Sequence, residues 1–269
     1  MKHIIFFFLI YLTQFLNLSS NEPKLEELIK GLKNPWSLSF ISDEDILITE
    51  KSGNLLKIDL TNKKIKTFSI GMTPNSTDLI ASRKVAKFLD TDHHEFYFTA
   101  EEGIKSIRDV IWYTETYDTT TIRASTAMYL LTKKIKQKFP NIKVLFSGEL
   151  SDEMMSYLYG GNAPSEKEFQ METIKLVSDV HIFDCLRANK TCMANSIEVR
   201  VPFTDPDFVR YMLRMPVKYK IFGRLNNYKT MEKQILRDSF NVNDDKGKMY
   251  LPKDILYRRK EAFSDGVSN

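Results

Sequence analysis

Residues 144–153 read Val144-Leu145-Phe146-Ser147-Gly148-Glu149-Leu150-Ser151-Asp152-Glu153, an apolar run that enters a small-residue turn crowded with carboxylates. An apolar run of this kind predicts a buried strand, and ligands of open α/β sheets bind beyond the carboxyl ends of such strands. Ser147 and Gly148 leave room for a ligand against the backbone, and the acids that follow suit a cation or a polarised reacting group. The same residues also suit a plain strand exit through a solvated acidic turn.

Upstream of this strand the pattern alternates. Lys66 to Ile70 predicts a short strand, and Gly71 to Asp78 a loop that caps the next helix. Leu79 to Leu89 has helical spacing with Val85 and Leu89 on one buried face. A strand over Glu95 to Phe98 leads to a helix from Glu101 in which Ile104, Ile107 and Ile111 recur at helical intervals, and a further helix runs from about Ala124 to Lys138. Strand, helix, strand, helix, strand is the order of an α/β fold with a parallel sheet covered by helices.

The first part of the chain has a different grammar. In residues 1–20, Lys2 and His3 precede the apolar run Ile4 to Leu12 and then Ser19 and Ser20, the order of a secretory signal peptide. Residues 21–65 alternate short apolar stretches with turns: Trp36 to Ile41, Ile46 to Glu50 and Leu55 to Leu60 predict an antiparallel β meander. Residues 66–269 form the larger module.

Composition narrows the function. A chain of 269 residues with 42% hydrophobic content folds, and 39 basic against 35 acidic residues leave a net charge of only +4. No basic run is interleaved with aromatics, so no nucleic-acid partner is expected. Cys185 and Cys192 lack metal or redox spacing and read as reduced core thiols. His93-His94 lacks a partner at metal-ligand spacing.

The strings FSIGMTPNSTDLIASRKVAKFLDTDHHEFYFT, EEGIKSIRDVIWYTETYDTTTIRASTAMYLL, LFSGELSDE, IFDCLRANKTCMANSIEVRVPFTD and RRKEAFSDGV resemble, in order, the synthetase domain of glutamine-hydrolysing asparagine synthetase over about residues 68–267. The shorter string GLKNPWSLSFISDEDILITEKSGNLLKIDL resembles the opening blade of the propeller in aldose sugar dehydrogenases that use pyrroloquinoline quinone. The sugar-oxidising residues of that second family have no match here.

The first resemblance implies a partial doubly wound sheet of the adenine-nucleotide α-hydrolase (PP-loop) type with a helical C-terminal part. It implies ATP and magnesium as cofactors, with aspartate and ammonia as partners and glutamine used only through a separate glutaminase. The aspartate side-chain carboxylate attacks the α-phosphate, forming β-aspartyl-AMP and releasing pyrophosphate, and ammonia then attacks the acyl carbon and releases AMP. By the same resemblance the adenosine contacts are Ile70, Ser147 and Gly148, and Glu149 is the carboxylate needed to form the adenylate. Thr120 and Arg123 order the intermediate, Asp152 and Asp184 are site acids, and Lys260 stabilises charge on the phosphates. Each has a plainer alternative: Asp184 and Arg187 as an i, i+3 surface pair, Lys260 as a solvated cation, Glu149 and Asp152 as hydrated turn residues.

The resemblance also carries expectations of loss. The family's phosphate loop, SGGxDSS, occurs nowhere in this sequence, and position two is Lys2 where the glutaminase nucleophile is a cysteine. Phosphate hydrogen bonds contribute roughly 1.5–3 kcal/mol each, so ATP binding is expected to fall by orders of magnitude. The family strand that precedes the loop is central, so the Ile70 and Val144 strands are expected to show unpaired edges. Leu150 stands where the family has glycine, and Met154-Met155-Ser156 replaces a longer glycine-containing stretch. The chain stops at Asn269, where family members continue. The resulting expectations are an asparagine synthetase module, incomplete in part; a non-catalytic fusion or remnant; or a fragment of a secreted sugar dehydrogenase. The compartment expectation is divided, since the main module implies the cytoplasm and the leader implies export.

Overall fold

The computed structural model describes residues 35–42, 45–50, 55–59, 64–243 and 247–268. The leader-like segment lies outside the described residues. The chain divides into two compact units, Met1–Phe40 with Asp45–Leu60, and Thr61–Asn269 with Ile41–Glu44. Among the described residues no helix is long and apolar enough to cross a membrane.

β1 (Pro35–Ser42), β2 (Asp45–Glu50) and β3 (Leu55–Asp59) form one sheet in that order. β2 and β3 are antiparallel with Ile48 opposite Leu56.

The second unit is α/β, with helices around two small parallel sheets. β4 (Lys66–Gly71) leads through a turn to α1 (Thr77–Leu89), and β5 (Asp92–Tyr97) pairs parallel with β4 from Lys66–Asp92 to Gly71–Tyr97. On these strands the His93 ring lies 2.8 Å from Thr67 Oγ1 and 3.0 Å from Ser69 Oγ, and burial pushes its pKa down. α2 (Ala100–Thr114) starts at a capping box in which the Thr99 hydroxyl accepts from Glu102 N–H and the Glu102 carboxylate accepts from Thr99 N–H. α3 (Thr119–Lys138) starts where Asp118 accepts from Thr121 N–H and ends with Lys136 and Lys138 at its negative pole. β6 (Val144–Phe146) pairs parallel with β7 (Glu198–Arg200) across α4 (Ser151–Met154), α5 (Glu166–Asp179) and α6 (Asp184–Met193). α7 (Pro206–Arg214), α8 (Gln234–Ser239), α9 (Lys253–Leu256) and α10 (Phe263–Gly266) complete the unit.

Hydrogen bonding fixes which edges are free. Ile65 C=O accepts from Asp92 N–H and Gly71 C=O from Phe98 N–H. Odd-numbered residues of β4 therefore face β5, while the N–H and C=O of Lys66, Phe68 and Ile70 turn to the opposite edge. On β6, Lys143 C=O accepts from Glu198 N–H and Ser147 N–H donates to Arg200 C=O, so Val144 and Phe146 turn away from β7. No described strand pairs with either of those edges. Both sheets nevertheless rest on one apolar layer, because Phe68, Phe96, Leu145 and Val199 all pack around Ile135, Cys192 and Ile197.

Several faces differ from the sequence expectation. Leu89 is 47% exposed, and α1 instead buries Leu79 and Ala86. On α2 the buried stripe is Gly103, Ser106, Val110 and Thr114, leaving Ile104 and Ile107 facing out. A Cβ on Gly103 would meet the Phe98 ring at 3.5 Å, an ordinary packing distance. The isoleucines share a helical period with this stripe but lie one residue out of phase. α3 begins five residues before the expected Ala124, since the Asp118 cap satisfies an amide that the apolar period does not report. β6 is only half-buried, with Phe146 46% exposed beside its unpaired edge.

Candidate active site

The acidic turn is built from its backbone outward. After β6 the chain turns at Leu150, whose φ of 72° and ψ of −14° are left-handed and place it directly before α4. The Ser151 hydroxyl donates to Gly148 C=O at 2.8 Å and closes the turn. Leu150 is buried with Met154, Met155 and Met212, so its side chain anchors a conformation its backbone disfavours. Left-handed backbone costs roughly 1–2 kcal/mol at such a residue, whereas truncating a buried leucine costs roughly 2–5 kcal/mol. Leu150→Gly is therefore expected to lose about 1–3 kcal/mol in urea denaturation, and a gain would show that strain outweighs packing.

Two charge groups flank this turn. Arg187, one turn into α6, is 6% exposed and donates from Nη2 to Glu149 Oε2 at 3.1 Å and to Asp184 Oδ1 at 2.6 Å. The surface-pair alternative for Asp184 and Arg187 is thereby overturned, because the guanidinium is buried and shared with the strand end. On the other side Asp152 lies between two lysines, with Lys233 Nζ 3.0 Å from Oδ1 and Lys260 Nζ 3.5 Å from Oδ2. The Lys233 contact is an ion pair whose angles miss hydrogen-bond geometry, since Asp152 Oδ1 accepts no hydrogen bond. The solvated-cation reading of Lys260 also fails, as its side chain is only 26% exposed and faces this acid.

Burial raises the pKa of Glu149, Arg187 opposes the rise, and Asp184 and Asp152 reinforce it. Glu153, 6% exposed, is pushed up to about 7 by burial, with smaller contributions from Asp184, Asp152 and Glu149. Its Oε2 accepts no hydrogen bond. Burial, followed by Asp184 and Asp152, also raises the pKa of Tyr157. These acids, Arg187, Lys233 and Lys260 form one coupled polar cluster beyond the C-terminal end of β6.

The remaining expected residues separate into two groups. Gly148 is exposed, with nothing within 4 Å of a Cβ built on it, so a ligand has access to the backbone there. Ile70 is 2% exposed, packed with Phe98, Val110 and Leu130, so its side chain is not available to a ligand; its N–H and C=O lie on the unpaired edge of β4. Ser147 is half-buried and its N–H is spent on Arg200. Arg123 and Thr120 lie on the first turns of α3, both exposed, and Arg123 reaches Asp265 at 3.7 Å, outside the acid cluster. Among the described residues Thr120 makes no side-chain hydrogen bond to that cluster. Segment 260–267 joins the two groups: Lys260 faces Asp152, and Val267 C=O accepts from Met72 N–H just past β4. Segment 260–267 therefore borders the C-terminal ends of both β4 and β6.

Lys233 and Glu153 carry no distinguishing spacing from their partners in the sequence. Lys233 is 81 positions from Asp152, a pairing that only the fold creates. Glu153 was visible as part of the acidic string, but its burial was not.

Comparison with known proteins bears on the same residues. The family model described as asparagine synthase matches residues 55–162 and 160–269. The chain is 52% identical over 206 residues to a probable glutamine-hydrolysing asparagine synthetase of Schizosaccharomyces pombe, covering 76% of this chain and 36% of that protein. It is 47% identical over 205 residues to glutamine-hydrolysing asparagine synthetase 2 of Oryza sativa subsp. japonica, covering 76% of this chain and 33% of that protein. Against glutamine-hydrolysing asparagine synthetase 1 of Saccharomyces cerevisiae it is 47% identical over 209 residues, 76% of this chain and 35% of that protein. The chain thus spans about a third of the length of the curated relatives it matches. With the match running from residue 55 through both charge groups to residue 269, the chain belongs to the asparagine synthase family.

Proposed function

We propose that the second unit carries the adenylate-forming face of an ATP-dependent carbon–nitrogen ligase that converts aspartate to asparagine through β-aspartyl-AMP. The observation that carries this reading is the acid–base cluster at the end of β6, where Glu149, Asp152 and Asp184 are held by Arg187, Lys233 and Lys260 beside the open backbone of Gly148. Bringing a carboxylate to a polyphosphate joins two anions, so cations fixed beforehand lower the barrier. Lys260 and Lys233 supply such charge, and Asp152 holds both ammonium groups in place until the ligand arrives. Glu149, orientated by Arg187, is the acid nearest the exposed turn and orders the reacting groups. The Ile70 backbone and Gly148 border the adenosine side.

Among the described residues no group of three metal-ligating side chains forms a cage. Magnesium is commonly held by one or two carboxylates together with phosphate oxygens and water, so these acids fit it only as a nucleotide-bound ion. The ion would supply charge neutralisation at the phosphates.

In aspartate-dependent exchange of labelled pyrophosphate into ATP, Glu149→Gln is expected to lower the rate at least about a hundredfold. No exchange by the wild type above that variant would overturn catalysis by this chain. One observation favours a second reading: among the described residues no strand pairs with the Lys66–Ile70 edge of β4 or the Val144–Phe146 edge of β6, and the sequence holds no SGGxDSS string, which suits a family member that keeps the fold without the activity. That reading predicts no rise in melting temperature with ATP and magnesium.

A further inference from the structure

Lys260 lies in an irregular stretch between two four-residue helices, α9 and α10, which by itself is a poor platform for a functional cation. What holds it is a buried ion pair outside the acid cluster. Arg237, on α8, is 8% exposed and spends its guanidinium on the backbone of that stretch. Nη1 donates to Leu256 C=O at 2.6 Å and to Arg258 C=O at 2.9 Å, and Nε donates to Glu232 C=O at 2.7 Å. Nη2 donates to Glu232 Oε1 at 3.0 Å. The same Oε1 accepts from the Lys260 N–H at 2.7 Å.

The clamp is tied to the acidic turn at its other end. Lys233, next to Glu232, donates its N–H to Met155 C=O at 3.0 Å, and its ammonium lies against Asp152. Residues 232–237 therefore connect α4, which carries Asp152, to the stretch that carries Lys260. A buried ion pair is a weak source of stability, but separating its partners leaves an uncompensated buried charge, so the contacts that Glu232 and Arg237 make are costly to break. A planar guanidinium with fixed donor directions suits this purpose, and an ammonium does not.

We infer that Glu232 and Arg237 form a clamp that fixes Lys260 over Asp152, which makes both of them positioning residues for the acidic cluster. The functional meaning of the clamp rests on the adenylate-forming reading, but its geometry does not. The test uses the full chain, with acetylation of each lysine followed by peptide mass spectrometry. Lys105, 74% exposed, serves as the internal reference. Glu232→Ala is expected to raise the acetylation rate of Lys260 relative to Lys105 at least fivefold, and Glu232→Gln, which keeps an acceptor oxygen, is expected to restore it to within twofold of the wild type. Arg237→Lys is expected to fall between them. An unchanged Lys260 rate in folded Glu232→Ala, judged by its circular dichroism, overturns the clamp.

If Glu232→Ala fails to fold, hydrogen exchange on the wild type decides: the Lys260 amide is expected to exchange at least tenfold more slowly than that of Arg259, and equal rates overturn the proposal. If Lys260 responds as expected while pyrophosphate exchange is absent, the clamp stands and the catalytic reading falls.

Discussion

Arg187→Met is expected to destabilise the second unit by about 3–5 kcal/mol, because it removes the shared partner of Glu149 and Asp184 and leaves a carboxylate buried without compensation. A domain's whole stability is about 5–15 kcal/mol, so the loss is a large fraction of it. Equilibrium urea denaturation at pH 8 measures it. Restoring charge balance with Glu149→Gln and Asp184→Asn in the same chain is expected to recover more than half of the loss. The pH dependence supplies a second signature. Burial already raises the pKa of Glu149, and without Arg187 it rises further, so protonation on acidification relieves the penalty and the loss shrinks as the pH falls. A cost below about 1 kcal/mol at pH 8 would show that Arg187 is not the buried anchor of this turn.

The second large effect belongs to Glu153. Its folded-state pKa of about 7 lies above the ordinary 4.5, so the folded protein keeps a proton that the unfolded chain has already released. The stability this contributes is fully present below about pH 4.5 and is lost as the pH rises through about 7. A shift of that size corresponds to at most about 3 kcal/mol. Glu153→Gln is isosteric and uncharged, so it is expected to be more stable than the wild type at pH 8, by up to about 3 kcal/mol, and similar to it at pH 4.5. His93 contributes with the opposite sign, since its depressed pKa means stability is lost as the pH falls below about 6.5, but this is common to both proteins and cancels in the difference. Parallel stability curves from pH 4.5 to 8 would show that Glu153 is not held in a dry site.

The sequence made much of the fold legible. The alternation after Lys66 predicts the order strand, helix, strand, helix, helix, strand, and each element is present. Helix phase was less legible. On α2 the isoleucines at 104 and 107 match a helical period, yet the interior takes Gly103, Ser106, Val110 and Thr114, because the two stripes share one period and differ only in phase, which the period does not fix. α3 starts five residues before its periodic pattern, because a cap is one hydrogen bond from Asp118 and leaves no periodic trace.

What the sequence by itself determined was local: an apolar strand running into Ser147-Gly148-Glu149 and an acidic string through Glu153. Those properties reside in neighbouring residues and survive without a fold. Only the tertiary structure decided which of the acids meet which cations. Lys233 reaches Asp152 across 81 positions, and Arg237 reaches the backbone on both sides of Tyr257. Burial acts in the same way, pushing the pKa of Glu153 up to about 7 through packing that its neighbours in sequence do not specify. Charge pairing and desolvation act through distance in space, and a linear chain does not contain that distance.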